Sequence, residues 1–167
     1  YGVDRHAVVA VWGVESDFGA LVKGGRFLPQ ALSTVACLGS RRRDFFKGEF
    51  LATMKIIERG DLEPEKLRGS WAGAFGHTQF MPSTFMRLAV DFDGDGRRDL
   101  VDSVPDALAS TANFLKKAGW RSAASWGFEV SLPPGLDTAG GGRRTRQPRS
   151  HWAARGVRRA DGSRLTA

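Results

Sequence analysis

Apolar residues recur at helical spacing over four stretches of the chain, each bounded by residues that start or stop helices. Asp4 precedes Val8, Val11 and Trp12, which lie three and four apart on one helix face, and Gly19 follows as a stop. Phe46, Phe50, Leu51, Met54 and Ile57 form a second stripe, closed by Arg59 and Gly60. Pro82 restarts the chain toward Phe85, Leu88 and Val90, and Pro105 opens a helix through Leu108, Ala112 and Leu115 to Lys116 and Lys117, with Gly119 beyond. The stripes predict a mainly α fold with one core. Trp126 to Leu132 alternates instead, which predicts a strand in a short β or irregular C-terminal part.

Between the second and third stripes the pattern breaks. Gly69, Gly73 and Gly76 fall within eight residues of GSWAGAFGHTQFMPSTF, too many for an amphipathic helix, so this segment reads as a loop that lines a cleft with Ser70 and Gln79. A second change of character comes at Pro133. Residues 133–149 read as a basic Gly/Pro-rich linker and residues 150–167 as the start of a second module, leaving residues 1–132 as the main domain.

The first helix carries the candidate acid. Glu15 follows Val11 and Trp12 by four and three residues and shares their face, so its carboxyl is expected to be partly desolvated and held protonated, as a general acid requires. A lone glutamate near a helix end is ordinarily a solvated surface residue. A carboxylate in the C-terminal half of a helix also opposes the dipole, so stability alone does not recommend it.

A second constellation lies in residues 91–102. Asp91, Asp93, Asp95, Asp99 and Asp102 occupy positions one, three, five, nine and twelve of an EF-hand calcium pattern, with glycine at six and the carbonyl of Arg97 at seven. Two positions depart from the pattern: Arg98 replaces the usual aliphatic residue at eight, and twelve is aspartate where glutamate is usual. The competing reading is a solvated acidic turn.

The Glu15 segment, GVESDFG, and the segment from Gly69 to Ser83 together resemble the lytic murein transglycosylases of the membrane-bound B type, from Tyr1 to about Leu132. The resemblance implies a lysozyme-like catalytic domain in which Glu15 acts alone, first as acid and then as base. It further implies that Ser70 orients an acetamido group, that Gln79 and Phe80 contact saccharide, and that Arg41 and Arg42 meet the peptide or lactyl carboxylates of the glycan. The implied reaction cleaves the bond between N-acetylmuramic acid and N-acetylglucosamine with a 1,6-anhydromuramyl product. The family carries an acidic loop at this position, so calcium there is expected to be structural and no cofactor serves catalysis.

Two family tyrosines are phenylalanines here, Phe45 and Phe114. Complete relatives also have a later segment that returns to the groove, which this sequence does not show, and the chain opens at Tyr1 as if cut from a longer one. The implied setting is the periplasm or outer membrane of a Gram-negative envelope, with peptidoglycan strands as partner and any membrane anchoring confined to a longer protein. A hydrolytic glycosidase of the lysozyme or chitosanase type and a non-catalytic glycan-binding domain remain as alternatives.

Charge changes the picture once it is located. The net charge is +7, but residues 1–132 hold seventeen Lys and Arg against sixteen Asp and Glu, whereas residues 133–167 hold eight against two. A nearly neutral main domain lacks the footprint of a nucleic-acid binder. Cys37 is the only cysteine, so no internal disulfide is possible, and its apolar neighbours in STVACLG suggest a small core residue.

Overall fold

The computed structural model describes residues 1–122, 124, 127–139, 141–142 and 145–165. The chain divides into two compact units, Tyr1–Ser122 and Ala123–Ala167. The boundary expected near Leu132 therefore falls inside the second unit, because Val130 and Ser131 are paired there with residues from the far end of the chain.

The first unit is helical around a short β ribbon. Helix α1 spans Arg5–Ser16, strand β1 Arg26–Phe27, helix α2 Leu28–Leu38 and helix α3 Arg43–Arg59; strand β2 is Arg68–Gly69, helix α4 Pro82–Leu88 and helix α5 Val104–Lys117. Strands β1 and β2 pair antiparallel, with Arg26 opposite Gly69 and Phe27 opposite Arg68. Among the described residues, no helix is long and apolar enough to cross a membrane.

Local chemistry accounts for the helix ends. The Asp4 side chain caps α1 by accepting from His6 N at 2.7 Å, and Ser103 caps α5 by accepting from Asp106 N. The stop of α1 differs from expectation. The helix ends at Ser16, and Asp17 and Phe18 adopt left-handed backbones at φ 50° and 52° before Gly19 is reached.

The core gathers Leu28 and Leu32 from α2, Phe46 and Ile56 from α3, Phe85 from α4, Ala107 from α5, and Leu62, Leu67, Phe75, Phe80 and Leu100 from the connections. Each fully buried Leu or Phe contributes about 1.5–3 kcal/mol of transfer free energy. Helix α2 lies outside the predicted stripes, and its inner face is Leu28 and Leu32, two turns and one turn before Val35. Cys37 lies off that face in the last turn and is exposed, which corrects the core position expected for it.

Helix α3 is rotated relative to its apolar stripe. Phe46, Glu49, Ala52, Thr53 and Ile56 are buried, while Leu51 is half exposed. Polar side chains take interior positions because they are satisfied there: Glu49 Oε2 accepts from Ser83 N at 2.9 Å, Glu49 Oε1 accepts from Ser83 Oγ at 2.7 Å, and Thr53 Oγ1 donates to Glu49 O at 2.9 Å. Helix α5 shows the same shift. Its buried residues are Asp106, Ala107, Ala109, Ser110 and Thr111, with Leu108, Ala112 and Leu115 half-buried.

In the second unit, strand β3 (Val130–Ser131) pairs antiparallel with strand β4 (Arg158–Arg159), and helix α6 spans Arg149–Ala154 between them. The Phe128 ring lies under two guanidinium groups, those of Arg149 at 5.3 Å and Arg159 at 4.8 Å. Part of the expected 133–149 linker is thus a connection within a small packed unit, while Gly140, Arg143 and Arg144 lie outside the described residues. Trp126 of the expected strand also lies outside them, and the strand observed is only its Val130–Ser131 portion.

Candidate active site

Glu15 sits on the last turn of α1, exposed, at the edge of a cleft of about 340 Å³. The lining also includes Val11, Thr78, Gln79, Phe80, Met81, Phe114 and Leu115. Val11 therefore shares the face of Glu15 as the helical period requires. Trp12 does not. It turns away to donate its indole N–H to His77 Nδ1 at 3.0 Å. The desolvation expected for Glu15 from two apolar neighbours is corrected: one of them lies elsewhere and the carboxyl is open to solvent.

The position of Glu15 is set by the residue after it. Ser16 is fully buried, and its Oγ donates to His77 O at 2.6 Å and accepts from Gly19 N at 3.1 Å. His77 N in turn donates to Leu100 O at 2.8 Å. Burial lowers the His77 pKa, an effect opposed by the charges of Asp99 and Asp102. The glutamate helix, the glycine-rich loop and the acidic loop meet at this one histidine, a junction that no motif in the sequence marks.

The opposite wall is the end of the glycine-rich loop. Phe75 forms β-bridges with Gly69 and with Phe80, folding the loop on itself, and Gly76 approaches Leu100 so closely that a Cβ would lie 2.5 Å from its carbonyl oxygen. Gln79 holds a left-handed backbone at φ 51°, uncommon for a side-chain-bearing residue, and its Nε2 donates to Gly76 O at 3.0 Å. Phe80 is buried against Phe114, with ring centroids 5.7 Å apart. Pro82 then opens α4, clamped by the Glu49–Ser83 pair. Thr78, also in the cleft wall and buried, has no hydrogen-bond partner for its Oγ1 among the described residues.

The structure brings Glu15, Gln79 and Phe80 together and leaves three predicted site residues apart. Ser70 is not part of the cleft lining, and its Oγ accepts from Ala74 N at 3.0 Å within the loop. Arg41 and Arg42 are exposed on the turn between α2 and α3, where the Arg42 guanidinium lies 4.0 Å from the Phe45 ring centroid. Asp17, the acid nearest in sequence to Glu15, is the C-cap of α1 and does not line the cleft.

The acidic loop forms a compact turn, but its carboxylates group differently from the twelve-residue pattern. Asp91 accepts from Gly94 N at 2.7 Å and Gly96 N at 2.9 Å, and Asp93 Oδ2 accepts from Ser103 Oγ at 2.9 Å. Carboxylate oxygens of Asp91, Asp93 and Asp106 lie within 4.8 Å of one another. Asp106 is fully buried and accepts from Phe92 N at 2.7 Å and Asp99 N at 2.8 Å.

The remaining members of the expected calcium set are engaged elsewhere. Asp95 accepts from Arg97 N at 2.8 Å, Asp99 accepts from Val101 N and Asp102 N, and Asp102 pairs with Lys66 at 2.6 Å. Asp106 thus lies with Asp91 and Asp93, whereas Asp95, Asp99 and Asp102 fall outside that group among the described residues. Three carboxylates from a turn and a buried helix residue suit a hard cation with oxygen ligands. Arg98, the departure at position eight, forks onto Asp61 through Nε and Nη2 and lies 5.0 Å over the Phe85 ring.

Comparison with known proteins places this arrangement. The chain is 43% identical over 121 residues to the membrane-bound lytic murein transglycosylase B of Escherichia coli, an alignment covering 72% of this chain and 33% of that protein. Its structure is similar to SltB3 from Pseudomonas aeruginosa in complex with NAG-anhNAM-pentapeptide, with a TM-score of 0.86 and 46% identity, over 99% of this chain and 44% of that one. It is also similar to the lytic transglycosylase Slt35 of Escherichia coli in complex with calcium, with a TM-score of 0.85 and 35% identity, over 96% of this chain and 50% of that one. The chain thus spans from a third to a half of the length of these relatives. The fold is the mainly helical, lysozyme-like one expected. The transglycosylase SLT domain model matches residues 1–167, so the chain with its Glu15 cleft belongs to the transglycosylase SLT domain family.

Proposed function

We propose that the protein cleaves the β-1,4 bond between N-acetylmuramic acid and N-acetylglucosamine in peptidoglycan and leaves a 1,6-anhydromuramyl end, acting as a lyase in the cell envelope. The observation that carries this reading is that, among the described residues, Glu15 is the only ionisable side chain lining the cleft. Hydrolysis by the usual retaining or inverting routes uses two carboxylates flanking the bond. A single acid suits a different course. Protonated Glu15 donates to the glycosidic oxygen while the substrate's own acetamido oxygen stabilises the developing positive charge at C1. The resulting carboxylate then takes the proton of the muramyl C6 hydroxyl, whose oxygen closes onto C1.

In this reading the remaining residues position substrate. Gln79 and Phe80, opposite Glu15, contact saccharide; Ser70 orients an acetamido group; Arg41 and Arg42 meet carboxylates of the glycan. The acidic loop holds a structural calcium ion through Asp91, Asp93 and Asp106, away from the reacting bond. The calcium complex of Slt35 and the anhydromuramyl ligand of SltB3 support these assignments by similarity.

Mass spectrometry of products released from purified peptidoglycan tests the reading. Anhydro ends are expected. Reducing ends would identify a hydrolase instead, and binding without release would identify a glycan-binding domain.

A further inference from the structure

One buried hydroxyl in the wall of the Glu15 cleft is unpaired. Thr78 lines the cleft and is 4% exposed, and its Oγ1 has no hydrogen-bond partner among the described residues. We propose that Thr78 is a substrate-positioning residue whose Oγ1 accepts from the N–H of the acetamido group on the sugar beside Glu15. The proposal rests on the peptidoglycan reading above and adds to it one contact and the chemistry of the group that fills it.

A buried hydroxyl left unpaired destabilises a folded protein, so one placed in a cleft wall points to a partner that arrives from outside. Two neighbouring polar groups of the wall are engaged within the protein: Thr111 Oγ1 donates to Ala107 O at 2.9 Å, and Gln79 Nε2 donates to Gly76 O at 3.0 Å. The backbone on either side of Thr78 is fixed. His77 N donates to Leu100 O and His77 O accepts from Ser16 Oγ, while Phe75 and Phe80 exchange two backbone hydrogen bonds, each 3.0 Å. That leaves the side chain to adjust, and one step of χ1 between staggered wells carries the hydroxyl to the cleft face.

The surroundings select the group that meets it. Val11, Met81, Phe114 and Leu115 make the adjacent wall apolar, and Glu15 is the only ionisable side chain in it among the described residues. An anion would be desolvated there with no cation to meet it. A cation would pair with Glu15 rather than with a hydroxyl. A ring hydroxyl alone would leave the apolar wall uncovered. An acetamido group is neutral and offers a methyl to the wall beside an amide for the hydroxyl. With Oγ1 accepting from the N–H, the carbonyl oxygen is free to approach C1, as the single-acid course requires. Ser70, outside this lining, serves the acetamido group of the neighbouring sugar.

Thr78→Val and Thr78→Ser in the full chain test the assignment, the first keeping the branched shape without the hydroxyl and the second keeping the hydroxyl. Thr78→Val should melt at the wild-type temperature or above it, because it removes a buried group that has no protein partner. A clear fall would assign the hydroxyl to the fold itself and overturn the proposal. Calorimetric titration with chitotetraose, a β-1,4-linked N-acetylglucosamine tetramer, should show about tenfold weaker binding to Thr78→Val, with most of the loss restored in Thr78→Ser. Cellotetraose, which carries hydroxyls in place of the acetamido groups, should bind the variant no more weakly than the wild type. Equal losses for both saccharides would move the contact to a ring hydroxyl and overturn the proposal, as would no loss for chitotetraose or no binding of it by the wild type. The peptidoglycan reading is judged separately, by the anhydro ends that the wild-type protein releases. If those are absent while chitotetraose binding still depends on Thr78, the reaction assigned above falls and the acetamido contact stands.

Discussion

Trp12 donates to His77 Nδ1 at 3.0 Å, and this bond ties the helix that carries Glu15 to the loop that carries Gln79. The acceptor nitrogen must be unprotonated, so the ring is neutral with its proton on Nε2. Burial, which lowers the His77 pKa below the ordinary 6.5, favours the same state.

The consequence is a pH dependence of stability. Below the unfolded value of 6.5 the unfolded chain binds a proton that folded His77 does not, so this contribution is full above 6.5 and is lost as pH falls toward the lowered folded value. His77→Gln, which cannot titrate in this range, should flatten the fall of melting temperature below 6.5. An unchanged slope would remove His77 from the account. His77→Ala leaves the indole N–H without its partner and should cost about 1–3 kcal/mol at neutral pH by denaturant unfolding.

Glu15→Gln should leave the fold intact and lower turnover of peptidoglycan by at least about a hundredfold, because the substitution keeps shape and removes the transferable proton. The side chain is exposed and makes no hydrogen bond among the described residues, so melting should move little. Retained turnover in a folded variant would eliminate the single-acid mechanism.

Calcium should raise the melting temperature of the first unit and a chelator should lower it. Saturation at about a hundredfold excess over Kd is worth about 2.7 kcal/mol by mass action. Asp93→Asn should weaken the response, whereas Asp102→Asn should leave it largely unchanged, because Asp102 is turned to Lys66. The reverse order of effects would restore the twelve-residue pattern as the ligand set.

Glu49→Ala should destabilise the first unit by about 2–3 kcal/mol, since it strips a buried hydrogen-bonding partner from both Ser83 N and Ser83 Oγ. Because Ser83 lies in the first turn of α4, just after Gln79 and Phe80, the variant should also raise KM more than it lowers kcat. Equal effects on a Glu49→Gln variant, which retains an acceptor, would argue against the hydrogen bonds as the cause.

Truncation after Ser122 should leave cooperative unfolding and most of the helical signal of the first unit. Truncation after Leu132 retains β3 without its β4 partner and should expose Val130 and Leu132 to aggregation. Non-cooperative melting of the shorter chain would show that the second unit is needed for the first to fold.

Much of this architecture was legible in the sequence because caps and apolar spacing act locally. Asp4, Pro82 and Gly60 mark helix ends where expected, and Glu15 and Gln79 meet across one cleft. What escaped depends on contacts distant along the chain. The rotation of α3 follows from Glu49 reaching Ser83, thirty-four positions away, and apolar periodicity alone assigns a glutamate to the surface. Asp106 joined the acidic cluster from a helix outside the loop motif. Trp12 left the Glu15 face for a histidine sixty-five positions later.

The close contact at Gly76 bears on how proteins of this kind can diverge. At Gly69, too, a Cβ would lie 2.0 Å from a backbone oxygen, that of Ala74, and rotamer changes cannot relieve a collision with the main chain. Mutational freedom is therefore nearly absent along the spine of the loop and survives at positions whose side chains face the Glu15 cleft, such as Thr78 and Thr84. Libraries meant to alter ligand preference are best confined to those positions, because diversity placed on the glycines would be spent on unfolded variants.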